Sequence, residues 1–215
     1  MKILMFAASF RKDSLNKKLI RNAAQMIPSG HEVNLKEFNE YAMPLYHGDL
    51  ETDSGIPDAA QKFIQDIADH DAIIISSPEY NSGIPGTLKN AIDWTSRVNP
   101  VPWVGKQVLI MGASPGMVGT NRGMWEVRKP LEYLGAHVYP EMMGFAQANK
   151  AFDEHDQLKE EAMRPKLQKL LFKFTEYAEY VSKFRPAETP PPAPTKPSPT
   201  PESKAPEAGY NQKNP

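Results

Sequence analysis

Apolar residues along this chain fall into two patterns, short continuous runs and longer stretches with helical spacing. Residues 2–7, 72–76 and 107–112 are apolar on both sides, which is typical of buried strands in parallel sheets. The short alternating run at 32–36 suits a sheet edge, and 136–139 completes five predicted strands. Helical spacing predicts helices over 14–26, 58–69, 87–97, 122–134 and 156–184, the last one bent at Pro165.

The predicted elements alternate, strand followed by helix, five times over. This alternation predicts a doubly wound α/β fold with a five-stranded parallel sheet in the order 2-1-3-4-5. Two segments remain as connections, a long polar one at 37–56 and a loop at 142–148. Long connections inside compact domains are usually functional or interfacial, so the apolar Met43-Pro44-Leu45-Tyr46 within the first suits a partner surface.

Three loops rich in glycine, proline or hydroxyl groups follow the first, third and fourth strands. They are Ser9–Asn16, Pro78–Gly86 and Ser114–Gly119. Ligands of doubly wound sheets bind beyond the carboxyl ends of the strands, near the point where the strand order reverses. Because these three strands are neighbours in the order 2-1-3-4-5, the loops are expected to converge on one cleft.

The first of these loops carries donors that suit a phosphate group. Ser9, Arg11, Ser14 and Asn16 supply hydroxyl, guanidinium and amide groups where a helix begins. The unpaired N–H groups of a helix N-terminus favour anions, and a guanidinium can bind two phosphate oxygens at once. Taken alone, the stretch is equally consistent with an ordinary surface turn in which Ser14 caps the helix.

Two common nucleotide signatures are missing from the sequence. No Gly-x-Gly-x-x-Gly follows the first strand, which disfavours a dinucleotide, and no Gly-Lys-Ser/Thr occurs, which disfavours a nucleoside triphosphate. A mononucleotide with one terminal phosphate fits better, and the order 2-1-3-4-5 is one that places FMN at its switch point. Tyr80 would then face a flat ring, and Ser114 and Gly116 would approach it from the third loop.

The charge balance and the absence of cysteine exclude several classes of function. Lys and Arg number 25 and Asp and Glu 26, a formal net charge of −1, which argues against a nucleic-acid or anionic-membrane partner. A chain without cysteine has no disulfides or thiolate nucleophiles and suits a reducing cytoplasm. The five histidines show no ligand spacing, so no metal site is expected. The apolar start of the chain is too short for a signal peptide or a membrane span.

The composition changes sharply after residue 185. Residues 186–215 contain ten prolines, three acidic residues and three lysines, with almost no large apolar side chains. Such a segment cannot bury enough apolar surface to offset the entropy of ordering it. We therefore expect one domain over 1–185 and a dispensable, disordered or polyproline-like tail, with a ligand for a proline-recognising domain as the alternative.

Longer motifs at the same loops resemble a known family. They are Ser9-Phe10-Arg11-x-x-Ser14-x-Asn16, Pro78-Glu79-Tyr80-Asn81 followed by Gly83 to Trp94, and Ala113-Ser114-Pro115-Gly116. Over residues 1–182 the chain resembles the NADPH-dependent FMN reductase family, and within it the bacterial quinone and chromate reductases. Ala8 stands where the first strand of that family often ends in glycine.

The resemblance implies a flavodoxin-like fold, non-covalently bound FMN, and a homodimer or homotetramer with the flavin near a subunit boundary. It also implies that NADPH or NADH reduces quinones, free flavins or similar acceptors by ping-pong hydride transfer, without a catalytic residue of the protein. The residues that would hold the phosphate are Ser9, Arg11, Ser14, Leu15 and Asn16. The residues that would line the ring are Pro78, Glu79, Tyr80 and Asn81, with Ser114 and Gly116 on its other side.

These motifs leave some side-chain roles and one alternative function open. For Glu79 we favour a loop-bracing or intersubunit ion pair over a catalytic acid. Lys12, Lys17 and Lys18 are expected on solvated surfaces.

A flavodoxin-type electron carrier would also bind FMN, but such carriers tend to be strongly acidic and to use Thr/Ser-rich phosphate loops. Arg11 and the near-neutral charge balance favour the enzyme.

Overall fold

The structure, a computed structural model, describes residues 1–159 and 163–183 and contains a parallel sheet. Its strands are β1 (Lys2–Ala7), β2 (Glu32–Lys36), β3 (Ala72–Ser76), β4 (Gln107–Ala113), β5 (His137–Val138) and β6 (Met143–Phe145). They lie in the order β2-β1-β3-β4-β5, and β6 also pairs with β4. In the centre of the sheet Met5 pairs with Ile74, and Ile74 with Leu109.

Helices cover both faces of this sheet. They are α1 (Leu15–Gln25), α2 (Gly48–Ser54), α3 (Asp58–Ala68), α4 (Gly86–Thr95), α5 (Asn121–Tyr133) and α6 (Arg164–Ser182). Met5 and Ile74 face a core formed with α1 and α6, whereas Phe6 and Ile73 face a core formed with α3, α4 and α5. The predicted doubly wound fold and the order 2-1-3-4-5 are therefore confirmed. None of the helices in the described ranges is long and apolar enough to cross a membrane.

The fifth position of the sheet is divided between two short strands. β5 pairs with Gln107 and Val108, and β6 pairs further along the same side of β4, from Met111 to Ala113. The predicted strand at 136–139 is thus too long, and the predicted loop at 142–148 is wrong because it contains β6. Pro140 lies between the two strands and has no N–H for the ladder, which explains the interruption.

The connection at 37–56 contains regular structure that its polar pattern does not predict. Phe38–Tyr41 forms a 3₁₀ turn, and α2 follows it. The Phe38 ring stacks on Phe6 with centroids 5.3 Å apart, so the turn adds to the aromatic core. The residues of α2 are not buried, which is why no apolar periodicity marks this helix.

The last helix begins later than predicted. α6 begins at Arg164, and Pro165 lies in its first turn instead of bending it, because a first-turn residue needs no helical N–H bond. Before it, residues 151–159 cross α1, where the Leu158 N–H donates to Asn22 Oδ1 at 2.8 Å. The proposed tail at 186–215 lies outside the described residues, so the division at 185 stays a prediction.

The side chain of Asn16 joins the start of α1 to the carboxyl ends of β3 and β4. Its Nδ2 donates to the Ala113 carbonyl, and its Oδ1 accepts from the Ala113 N–H and from Ser76 Oγ, all at 2.9 Å. Asn16 is 3 % exposed, so these bonds are shielded from water. The start of α1 and the ends of two neighbouring strands are thereby held in fixed positions relative to one another.

We expect Asn16→Ala to lower the free energy of unfolding by about 1–3 kcal/mol, because it leaves the buried N–H and C=O of Ala113 without partners. Urea unfolding measures this loss. Gln25→Ala, at an exposed position of the same helix, is the control and should change stability by less than about 0.5 kcal/mol. Equal losses in the two variants would contradict the role assigned to Asn16.

Candidate functional site

A cleft opens beyond the carboxyl ends of β1, β3 and β4, beside the point where the strand order reverses. It spans about 380 Å³ of space, counting its open side. Its walls are the three loops that the sequence predicts to converge. Every predicted site residue lines the cleft except Asn81 and Gly116, and Ala113 and Pro115 line it in addition.

The first wall presents hydroxyl groups and the N-terminus of α1. Ser9 and Ser14 are 2 % and 4 % exposed, and Ser9 Oγ accepts from the Arg11 N–H at 3.4 Å. Ser14 occupies the N-cap position of α1 but makes no side-chain capping bond. The first turn of α1 holds no acidic residue, and its leading N–H groups have no partner within the helix. This wall can therefore accept an anion, because Ser14 lies at the N-cap position without using its hydroxyl to cap the helix.

Two lysines that follow this wall form ion pairs within the fold. Lys17 is 7 % exposed and its Nζ lies 2.9 Å from both Glu37 Oε2 and Asn39 Oδ1, so the prediction that it is solvated is wrong. The hydrogen bond from Lys17 is the main cause that lowers the pKa of Glu37. Lys18 pairs with Asp156, and that hydrogen bond is the main cause that raises its pKa.

Arg11 and Lys12 differ in position although both are exposed. Arg11 lines the cleft, whereas Lys12 lies outside it, in solvent as expected. Within residues 1–159 and 163–183, neither side chain forms an ion pair. Arg11 is therefore a cation at the cleft whose charge is available to a ligand.

The second wall is a tight hairpin turn. Tyr80 and Gly83 exchange two backbone hydrogen bonds, of 3.3 and 3.0 Å, around Asn81 and Ser82. Both central residues have positive φ, 52° and 62°, as a two-residue type I′ turn requires. This turn carries Asn81 to the tip of the loop, away from the lining, and leaves the Tyr80 side chain half exposed at the mouth of the cleft.

The hairpin is braced by the start of α5. Glu79 Oε2 accepts from the Gly123 N–H at 2.8 Å, and Arg122 Nη1 donates to Ser82 Oγ at 3.0 Å. The expected bracing role of Glu79 is present, but its partner is a backbone amide of the same chain and not a cation.

The third wall is held in place by β6. The Ser114 N–H donates to the Phe145 carbonyl at 3.0 Å, and Ser114 Oγ accepts from the Gly116 N–H at 3.0 Å. A methyl group on Gly144 would lie 2.1 Å from the Gly119 carbonyl oxygen, so the two backbones are in direct contact. Sequence reasoning misses this support, although the short apolar run at 142–145 is a signal that could have identified the extra strand.

A family model for NADPH-dependent FMN reductases matches residues 1–150, which include all three walls of the cleft. The chain belongs to this family. The resemblance drawn from the loop motifs is confirmed, and the protein is an oxidoreductase whose family works with FMN and NAD(P)H.

Relatives and solved structures agree with this assignment. The NAD(P)H-dependent FMN reductase of Pseudomonas aeruginosa is 36 % identical over 172 residues, 79 % of this chain and 91 % of the relative. The quinone reductase of Escherichia coli is 37 % identical over 153 residues, 70 % of this chain and 80 % of the relative. The structure of FerB, a flavoenzyme NAD(P)H:(acceptor) oxidoreductase from Paracoccus denitrificans, has a TM-score of 0.71 at 28 % identity and covers 83 % of this chain and 97 % of its own.

The comparisons favour the oxidoreductase over the flavodoxin-type carrier. Flavodoxin 1 of Bacillus cereus has a TM-score of 0.54 at 14 % identity, covering 82 % of this chain and 99 % of its own, so it supports the fold alone. The predicted flavodoxin-like fold is confirmed. The two relatives that are 36 % and 37 % identical over their aligned residues are named as enzymes.

Proposed function

We propose that this protein uses FMN bound in the cleft to transfer electrons from NADPH or NADH to quinones, free flavins or similar small acceptors. The observation that carries the proposal is the first wall, which joins an uncapped helix N-terminus, two buried hydroxyls and Arg11 at the switch point of the sheet. Phosphate groups favour this combination of donors. The missing cysteines and the nicotinamide cosubstrate suit a cytoplasmic reaction.

The residues present fit a flavin mononucleotide. Ser9, Arg11 and Ser14 would hold its phosphate through their side chains, and Leu15 and Asn16 through backbone N–H groups, because the Asn16 amide is already bonded to β3 and β4. The ring would lie between two walls. Its contacts would come from Pro78, Glu79 and Tyr80 on one wall and from Ser114 on the other, with Asn81 and Gly116 adjacent to them in the two loops.

When bound, FMN supplies the redox chemistry, accepting a hydride from the nicotinamide and passing electrons to the acceptor. The protein contributes position and electrostatics. The braced Tyr80–Gly83 turn and the β6-supported third loop would fix the ring, and the open side of the cleft would admit one planar partner at a time. A shared open side is the reason to expect ping-pong kinetics with a nicotinamide and an acceptor in turn.

The distinction between enzyme and carrier is testable with the purified yellow protein. We expect NADPH or NADH, added without oxygen and without any other reductase, to bleach the yellow absorbance of the flavin within seconds to minutes, since typical turnover is on the order of 1–1,000 per second. Addition of a benzoquinone should then restore the colour. A flavin that stays oxidised with both nicotinamides would refute the enzyme and support the carrier.

Arg11 should be the main charged anchor of the FMN phosphate. A hydrogen bond with a charged group contributes about 1.5–3 kcal/mol, which is roughly 10- to 150-fold in affinity. We expect Arg11→Ala to weaken FMN binding by that factor, while riboflavin, which has no phosphate, binds the variant and the parent alike. Fluorescence titration of the apoprotein measures both affinities.

Lys12→Ala is the matched control for Arg11, because it removes a neighbouring cation that does not line the cleft. It should change FMN affinity by less than about threefold, since exposed charges contribute little. The phosphate-binding proposal fails if Arg11→Ala retains the FMN affinity of the parent, or if the parent binds riboflavin as tightly as FMN.

We also propose that the protein is a homodimer or homotetramer, as its family resemblance implies. Leu45 is 77 % exposed, in a segment that the Pro44 carbonyl fixes by accepting from Asn90 Nδ2 at 2.9 Å and Trp94 Nε1 at 2.8 Å. A large apolar side chain held at the surface in a fixed position suits a subunit contact.

Light scattering at micromolar concentration should show an oligomer for the parent and a shift towards monomer for Leu45→Asp, because a charge placed in an apolar interface loses its hydration without a partner. Phe172→Asp, at an exposed aromatic position on α6, should leave the mass unchanged. A monomeric parent would contradict the proposed assembly.

A further inference from the structure

The start of α5 lacks the capping bond that its own sequence could supply. Thr120 is the N-cap residue, but its φ of 64° and ψ of 12° are left-handed, and its side chain makes no capping bond. Its hydroxyl is instead buried over β4, where a methyl group on Gly112 would lie 2.2 Å from Thr120 Oγ1. The unpaired N–H groups in the first turn of this helix therefore need an acceptor from elsewhere in the chain.

Glu79 supplies that acceptor from the second wall of the cleft. Its Oε2 accepts from the N–H of Gly123, the third residue of α5, which is the amide that an N-cap side chain would normally bind. A carboxylate at this place is also favoured by the positive end of the helix dipole. The bond joins residues 44 positions apart, so it is a tertiary cap.

The hairpin and α5 are in close contact as well as hydrogen-bonded. A methyl group on Gly123 would lie 3.0 Å from Glu79 Cβ and 3.1 Å from the Gly83 carbonyl oxygen. Both ends of the Glu79–Gly83 segment therefore lie against Gly123. The hydrogen bond from Arg122 to Ser82 adds a second link between the segment and α5. Asn81 and Ser82 have left-handed backbones without being glycine, a conformation that persists where surrounding contacts enforce it.

We propose that Glu79 is a positioning residue of the flavin site, whose carboxylate caps α5 and thereby fixes the Tyr80–Gly83 turn, and that it does not bind the flavin through that carboxylate. The inference rests on the proposed function, since it concerns the wall assigned to the ring. The same helix follows the third wall, so one contact sets the spacing of two walls.

The test compares FMN and riboflavin affinity in apoprotein variants by fluorescence titration. Glu79→Ala should weaken both ligands by the same factor, about tenfold, because the ring and not the phosphate loses its wall. Glu79→Gln keeps an acceptor for the Gly123 N–H and should stay within about threefold of the parent. Glu126→Ala removes a carboxylate of α5 itself, one that pairs with Lys129, and should leave both affinities unchanged.

Gly123→Ala tests the contact from the other side, because its methyl group must displace Glu79 or Gly83. It should also weaken the binding of FMN and of riboflavin about tenfold. The double variant Glu79→Ala/Gly123→Ala should bind the two flavins about as well as whichever single variant binds them less tightly. Amide hydrogen exchange of the flavin-free protein gives a readout independent of binding: the Gly123 N–H should exchange faster in Glu79→Ala but remain protected in Glu79→Gln.

Three results would overturn the inference. Glu79→Gln could lose as much affinity as Glu79→Ala, which would mean that the charge itself acts on the ring. Glu79→Ala could match Glu126→Ala, which would mean that the cap does not position the wall. Glu79→Ala could weaken the binding of FMN and leave that of riboflavin unchanged, which would place Glu79 at the phosphate. A parent protein that binds neither flavin would instead refute the proposed function, and it is recognised by the parent titration before any variant is compared.

Discussion

The side-chain amide of Asn16 supplies hydrogen bonds to β4 beyond the point where β3 ends. β3 ends at Ser76, opposite Met111, so the edge of Ala113 that faces β3 has no strand partner. Asn16 takes both backbone groups of Ala113 and the Ser76 hydroxyl in one buried contact. Buried backbone groups must be paired, so this contact fixes how the three loops of the cleft are placed relative to one another.

The rigidity of the cleft comes from outside its own loops. The second loop is held by the start of α5, and the third by β6, through contacts so close that glycine is needed at Gly144 and a side chain at Gly123 would push its neighbours aside. Left-handed backbone conformations occur at Asn81 and Ser82 in the second loop and at Thr120, the N-cap residue of α5. Strain of this kind persists only where packing enforces it, and it is concentrated at sites that bind and react.

The charges around the first wall are arranged so that one cation faces the cleft. Lys17 pairs with Glu37 and donates a hydrogen bond to Asn39, and Lys18 pairs with Asp156. Their charges are therefore compensated, whereas Arg11 adds its guanidinium to the partial positive charge of the α1 N-terminus. This arrangement supports the proposed binding of a phosphate at the α1 end of the cleft.

The sequence by itself determined most of the elements, their alternation and the three loops, because apolar periodicity and turn residues are local signals. From these the convergence of Ser9, Tyr80 and Ser114 follows, since parallel strands end at one edge of the sheet. Only the tertiary structure decided which groups support or neutralise one another. Asn16 and Ala113 are 97 residues apart and Glu79 and Gly123 are 44 apart, and no local pattern encodes such pairs. The division of the fifth strand and the burial of Lys17 escaped the sequence for the same reason, because each depends on neighbours brought together by folding.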